Sequence, residues 1–259
     1  MAEYKKLNNQ PLRFVLAEFR FSQIMKINDY IPQIQERLRK KYPIPLQQKE
    51  QAVMVQNGGV NVAVIDRWTF LSADKRSAIE INQDRLMFYT AEYPRFEGFS
   101  DNCKEALEVL IDVAEPSLVL RVGLRYGDLA EVDDGEKLVD LIDQRFTYPC
   151  CINGLGEPRQ QRNEIFIETS VGGLLIRTLY GVHDQSCLPD VQGLSIEIHQ
   201  NRTPSERIIL DFDHFWESQE KAVSFESEQI LGILESLHET SREAFWRIST
   251  DYARNEKWS

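Results

Sequence analysis

Two arginines and several acids recur at alternating positions in stretches rich in strand-forming residues. Side chains alternate between the two faces of a strand, so Arg121 and Arg125 are predicted opposite Leu120, Val122 and Leu124. The same alternation places a further set of polar residues opposite the apolar sides of their strands: Glu80, Glu197, His199, Asp211 and Asp213. Such a polar sheet face could bind a partner, transfer protons or carry cross-strand ion pairs in water.

A hydrolase would use the Asp211, Asp213 and His199 side chains of this face. No spacing fixes a pair of these groups, and the chain has no GxSxG elbow, HExxH helix or phosphate loop. His199 also stands where the first half of the chain has Asn82. We therefore favour a solvated or partner-binding face and predict no catalytic residue.

His238 is the histidine of the last long predicted helix. On a helical wheel it lies with Leu231, Leu234 and Phe245, at the edge of the apolar stripe. A lone histidine in that position is typical of a core or boundary residue that bonds a carbonyl group. We interpret it as structural.

The four cysteines do not form a metal-binding pattern. Cys103 fits the apolar stripe of a helix, Cys150 and Cys151 are adjacent, and Cys187 follows His183 by four residues. Paired CxxC spacing is missing, and adjacent residues seldom point at one ion. The sequence predicts reduced thiols, no metal and no cofactor.

Charge and hydropathy limit the partners. The net charge of −11 disfavours direct nucleic-acid binding, which depends on clustered Lys and Arg, and suits a basic protein partner. The N-terminal residues lack the apolar segment of a signal peptide, and no apolar run approaches the roughly 20 residues that span a bilayer. We expect a cytoplasmic protein with no membrane contact. Its oligomeric state stays open.

A repeated pattern of elements predicts the architecture. "IEINQDR" at 79–85 and "IEIHQNR" at 196–202 share five of seven residues, and each half opens on a strand that leads to a short helix. "NGG" at 57–59 indicates a hairpin. Ser100 and Ser224 precede the helices that end the halves. We predict that 79–82 superposes on 196–199.

The predicted fold class is α+β. The repeated unit is a strand, a helix, four antiparallel strands and a helix, with the helices on one face of a continuous antiparallel sheet. No Gly, Ser and Pro-rich linker separates the halves, so we expect a single pseudo-symmetric domain over 1–259 with half-repeats at about 11–116 and 117–250.

Several stretches resemble a sporadically distributed bacterial family with no established activity. They are Pro11-Leu12 with Glu18, "YPRFEGF" at 93–99, "RVGLRY" at 121–126, "LDFDHF" at 210–215, and Leu237-His238 with Phe245. Family members usually have Ile-Asn where this chain has Gly127-Asp128. The resemblance implies a shared fold, and some relatives look like accessory genes beside CRISPR-associated proteases in defence loci.

Three functions follow from these patterns. The first is a non-catalytic protein-interaction or regulatory module, an accessory in a bacterial antiviral defence operon as the resemblance implies. The second is a small-molecule sensor with a pocket between sheet and helices. The third is the hydrolase. A deep cavity favours the second function, and a flat apolar patch favours the first.

Overall fold

The computed structural model describes residues 4–56, 59–147, 155–156, 159–200, 203–219 and 222–259. Within these residues one sheet contains ten strands. The first half contributes β1 (Leu12–Phe21), β2 (Ile44–Gln56), β3 (Gly59–Leu71), β4 (Ser77–Ile81) and β5 (Arg85–Thr90). The second half contributes β6 (Leu118–Glu131), β7 (Gln160–Glu168), β8 (Gly173–His183), β9 (Ser205–Glu217) and β10 (Val223–Ser224).

The strand order shows how the two halves join. It runs β2-β3-β4-β5-β1-β6-β9-β8-β7, and β10 pairs with β6. In each half an antiparallel meander returns to the opening strand, β5 to β1 and β9 to β6. The opening strands β1 and β6 pair antiparallel at the centre. The predicted α+β class and the continuous antiparallel sheet are therefore confirmed.

The main helices pack on one face of the sheet. They are α1 (Ile27–Leu38), α2 (Arg95–Ala114), the single turn α3 (Leu138–Leu141) and α4 (Ser227–Ile248). Alternate strand residues such as Ala17, Val122 and Leu210 join these helices in one buried cluster. Helix α4 lies against β6 and β9, and α2 lies against β5. None of the helices in the described residues is both long and apolar enough to cross a membrane.

Helix α2 begins at Arg95, before Ser100, which the sequence predicted as the cap that precedes the helix. Its first residue is Arg95, which has a φ of 72°, and its last turn is followed by Glu115 with a φ of 47° before Pro116. The helix therefore begins within the "YPRFEGF" stretch, after Pro94. This placement turns Phe96 and Arg95 toward the sheet-helix interface.

The predicted superposition of the two heptapeptides is wrong. Ile79 and Ile81 lie in β4 and are buried in the helical core. Residues 196–199 belong to no strand, and Ile196 instead packs on the opposite face of the sheet with Met87 and Tyr89. Strands β8 and β9 pair directly along their whole length, so no gap is left between them for another strand. The second half therefore has three meander strands rather than four.

The face opposite the helices is partly covered by the segment 184–200. Its apolar side chains Cys187 and Val191 pack with Phe14 of β1. The face is therefore less open than the sequence pattern indicates. Of the residues that the alternation predicted for this face, Arg121, Arg125 and Asp213 line the cleft that remains beside this segment.

Candidate functional site

A cavity of about 430 Å³ lies between the helical face of the sheet and helices α2 and α4. Strands β6 and β9 form its floor, and the N-terminal residues 4–12 close one side. Aromatic side chains dominate its wall: Tyr4, Tyr93, Phe96, Tyr126, Phe212, Phe245 and Trp246. The polar and charged lining residues are Lys5, Lys6, Gln10, Arg95, Glu97, Asp128, His238, Ser241 and Arg242.

Asp128 supplies a buried carboxyl group to this cavity. It follows Leu124 and Tyr126 on the helical side of β6, where only 5% of the residue is exposed. Within the described residues, its side chain makes no hydrogen bond or ion pair. Burial raises the pKa of Asp128 to about 8; nearby Asp211 adds to the shift and Arg13 opposes it. At neutral pH the group is therefore a carboxylic acid, which both donates and accepts hydrogen bonds.

Two tyrosines and a histidine form a chain of polar contacts beside Asp128. The hydroxyl oxygen of Tyr126 lies 2.8 Å from Nδ1 of His238 and 3.4 Å from the hydroxyl of Tyr93. Burial and the cation of Arg242 lower the pKa of His238 to about 3, and burial raises the pKa of Tyr93 to about 12. All three groups are neutral at pH 7 and act as hydrogen-bonding groups.

Stacking holds the ring of His238 in place. It lies parallel to Phe96 with centroids 4.0 Å apart and an interplanar angle of 4°. The sequence predicted that His238 bonds a carbonyl group, but His214 makes that contact: its Nδ1 lies 3.0 Å from the carbonyl oxygen of Leu237. His238 bonds a side chain and faces the cavity.

The N-terminal segment is fastened over the cavity by two arginines. Arg95 donates to the carbonyl oxygen of Leu7 and, at 3.2 Å, to Oε1 of Gln10. Arg242 lies over the ring of Tyr4 at 4.5 Å from its centroid. The positive φ of Arg95 is an unfavourable conformation for a residue with a side chain, and here it places the guanidinium where it can hold the segment.

The predicted polar face exists, and part of it is a closed ion-pair ring. Arg125 Nε lies 2.9 Å from Asp211, and Arg177 NH2 lies 2.8 Å from the same carboxylate. Both guanidiniums also contact Asp190 of segment 184–200, at 2.9 and 3.4 Å. The ring anchors this segment to the sheet. Asp211 is almost fully buried within it.

Arg121 occupies a separate part of the face. Four residues, about 13 Å of strand, separate it from Arg125. Its contacts are Glu18 at 3.6 Å, Glu217 at 3.5 Å and the ring of Phe215 at 4.0 Å. Leu120 departs from the predicted alternation, because a register shift between β1 and β6 there leaves Leu120 exposed and Val119 buried.

The remaining predicted residues are dispersed. Glu80 is buried near Arg67 and Arg85 on the same face. Glu197 and His199 lie on the exposed side of segment 184–200, and Glu197 pairs with Lys75.

Asp213 lies beside Arg125 in a cleft on the sheet face opposite the helices. Within the described residues, no polar contact joins His199 to Asp211 or Asp213. Asp211 thus has a structural role, and the hydrolase stays a prediction without a supporting contact.

Cys103 and Cys187 are buried free thiols. Cys150 and Cys151 lie outside the described residues. Within the described chain, no group of three or more His, Cys, Asp or Glu residues is arranged to hold a metal ion.

Comparison with known protein families gives no matching family model. Comparison with curated proteins also gives no match.

Sequence reasoning missed the cavity residues Tyr93, Tyr126 and Asp128. One signal was available: Asp128 continues the series Val122, Leu124 and Tyr126 on the apolar side of its strand. An acid on the buried side of a strand is unusual and marks a possible site.

The ion-pair ring generates a prediction about stability. Arg125→Ala leaves Asp211 buried beside a single guanidinium, so it should lower the free energy of unfolding by about 3 kcal/mol. Arg121→Ala removes longer and more exposed contacts and should cost about 1 kcal/mol. Urea denaturation of both variants measures the difference. Equal losses would contradict a special role for the ring.

Proposed function

We propose that this protein binds a small molecule in the cavity between the sheet and helices α2 and α4. The observation that carries the proposal is an aromatic cavity of about 430 Å³ whose floor holds the carboxyl of Asp128, for which the described part of the chain supplies no hydrogen bond or ion pair. Ligand pockets typically measure about 300–1,000 Å³ and combine apolar walls with a few polar groups. A buried polar group without a partner is costly, and a ligand would supply the missing hydrogen bond.

The lining indicates the chemical class of the ligand. Phe212, Phe245 and Trp246 present aromatic surface, which favours a planar ring system. The carboxyl of Asp128 requires a hydrogen-bonding group such as a ring N–H at the buried end of that ring. The proposed ligand is therefore a planar aromatic compound that carries an N–H donor.

The stretches that carry the family resemblance support this choice of site. Leu12, Tyr93, Tyr126, Phe212 and His238 come from the five different stretches and all line the cavity. The resemblance implies Asn at the position of Asp128. A protonated aspartic acid and an asparagine each offer one acceptor oxygen and at least one donor hydrogen, so either residue could meet the same ligand group.

A matched pair of probes tests the proposal. Indole and benzofuran have nearly the same shape, but only indole has an N–H donor. Ligand-observed NMR should show that both bind the wild-type protein and that indole binds more tightly. Asp128→Leu should abolish this preference because it removes the acceptor.

Ser241→Phe provides the control for location. Ser241 is buried and lines the cavity, so the larger ring should exclude both probes, while Val139→Phe on the exposed side of α3 should leave binding unchanged. Absence of binding to the wild-type protein would contradict the proposal. Equal binding to the Ser241→Phe variant, shown to be folded by its thermal transition, would also contradict it.

A protein-interaction module is the second candidate. The edge strand β7 exposes Ile165, Phe166 and Ile167, of which Phe166 is 58% exposed. Exposed apolar edge strands favour pairing with a strand of another protein. In this role the chain would be a cytoplasmic accessory protein, encoded in a bacterial defence locus as the resemblance implies. A partner protein with a basic segment would suit its net charge of −11.

Substitution on this edge separates partner binding from general surface effects. Phe166→Glu should remove a specific partner recovered by affinity purification from the native host, because it places a charge in the apolar contact. Val139→Glu alters a comparably exposed residue on α3 and should retain the partner. Retention of the same partner by both variants would exclude the β7 edge as its binding surface.

A further inference from the structure

A second cavity, of about 400 Å³, lies on the sheet face opposite the helices. We call it the arginine cleft. Strands β1, β3, β5 and β6 form its base, and residues 190–194 border it. Among the described residues, five arginines and three acids line the cleft: Arg20, Arg67, Arg85, Arg121 and Arg125, with Glu18, Asp190 and Asp213. Arginines therefore outnumber acids among the lining residues, although the whole chain has a net charge of −11.

Glu18 lies among three of these cations. Its carboxylate is 2.9 Å from Arg20 Nε but 3.6 Å from both Arg85 NH1 and Arg121 Nε. Charge-assisted hydrogen bonds usually measure about 2.7–2.9 Å. Arg85 also lies 3.6 Å from Glu80, and Arg121 lies 3.5 Å from Glu217. Arg121 therefore has two acidic neighbours, both beyond the usual length of a charge-assisted hydrogen bond.

Two guanidinium nitrogens of the cleft have spare donor capacity. Nε of Arg67 and Nε of Arg121 are buried, and neither has a hydrogen-bond partner among the described residues. The nearest acid to Arg67 Nε is Glu80, at 3.7 Å. Buried donors of this kind are costly unless an acceptor reaches them.

The neighbouring ion-pair ring shows how this face holds an oxyanion. Arg125 and Arg177 bind the Asp190 carboxylate, which comes from outside the strands. The planar fork of a guanidinium suits carboxylate and phosphate oxygens in the same way. A group with more oxygens than a carboxylate could bridge Arg67, Arg85 and Arg121 within the cleft.

We infer that the arginine cleft is a binding site for a phosphoryl group, either inorganic or part of a larger soluble ligand. The site lies on the opposite face of the sheet from the proposed aromatic cavity and does not depend on it. The cleft volume exceeds that of a single phosphate, so pyrophosphate fits the inference better than orthophosphate does.

Calorimetric titration with inorganic pyrophosphate tests the inference, with orthophosphate and acetate as smaller oxyanions. Pyrophosphate should bind one site per chain, more tightly than orthophosphate and much more tightly than acetate. Arg121→Gln should weaken pyrophosphate binding about tenfold, because it removes one charge-assisted contact. Arg37→Gln alters an exposed arginine paired with Asp112 on the helical side and should leave binding unchanged.

The conservative variant Arg121→Lys distinguishes a loss of ligand contact from a folding defect. Arg121→Lys keeps the charge but loses the fork, so its binding should fall between those of Arg121→Gln and the wild-type protein. No binding of pyrophosphate to the wild-type chain would overturn the inference. Equal affinities for the wild-type, Arg121→Lys and Arg121→Gln proteins would also overturn it, since the ion would then bind elsewhere.

Discussion

The antiparallel pairing of β1 with β6 fixes the positions of both candidate sites. Ala17 pairs with Leu124 and Glu18 with Gly123, so apolar residues of both strands face the helices and charged residues face the arginine cleft. A shift of one residue would move every side chain of a strand to the other face. It would bring Asp128 out of the cavity and turn Arg125 into the core, at a large cost in desolvation.

Irregularities in this pairing refine the two faces. A register shift lies between Leu12 and Phe14. It allows Leu12 to line the aromatic cavity while Phe14 packs beneath the segment 184–200. Gly127 makes the second contact possible, because a Cβ at that position would overlap the ring of Phe14. The Gly127-Asp128 pair thus lies within β6, with one residue serving each face.

The alternation of residues was sufficient to predict the sheet face of Arg121, Arg125, Asp211 and Asp213. It could not predict their partners, because Asp190 and Arg177 reach Arg125 and Asp211 only after distant segments meet. The heptapeptide match did not predict a second strand for a related reason. Strands β8 and β9 hydrogen-bond directly to each other, so residues 196–199 cannot pair between them even though their sequence resembles that of β4. The aromatic cavity depends on how α2, α4 and residues 4–12 pack together. The periodicity of a sequence predicts single helices and strands but not this packing.

Asp128 is a buried carboxyl with no hydrogen-bond partner among the described residues, and we propose that a ligand supplies that partner. The most direct measurement is a titration of its side-chain carboxyl carbon by NMR between about pH 4 and 10, assigned with Asp128→Asn. For the protein without added ligand we expect a pKa of about 8, because burial disfavours the charged form. A midpoint near the value of about 4 that is typical of solvated aspartate would contradict the claim.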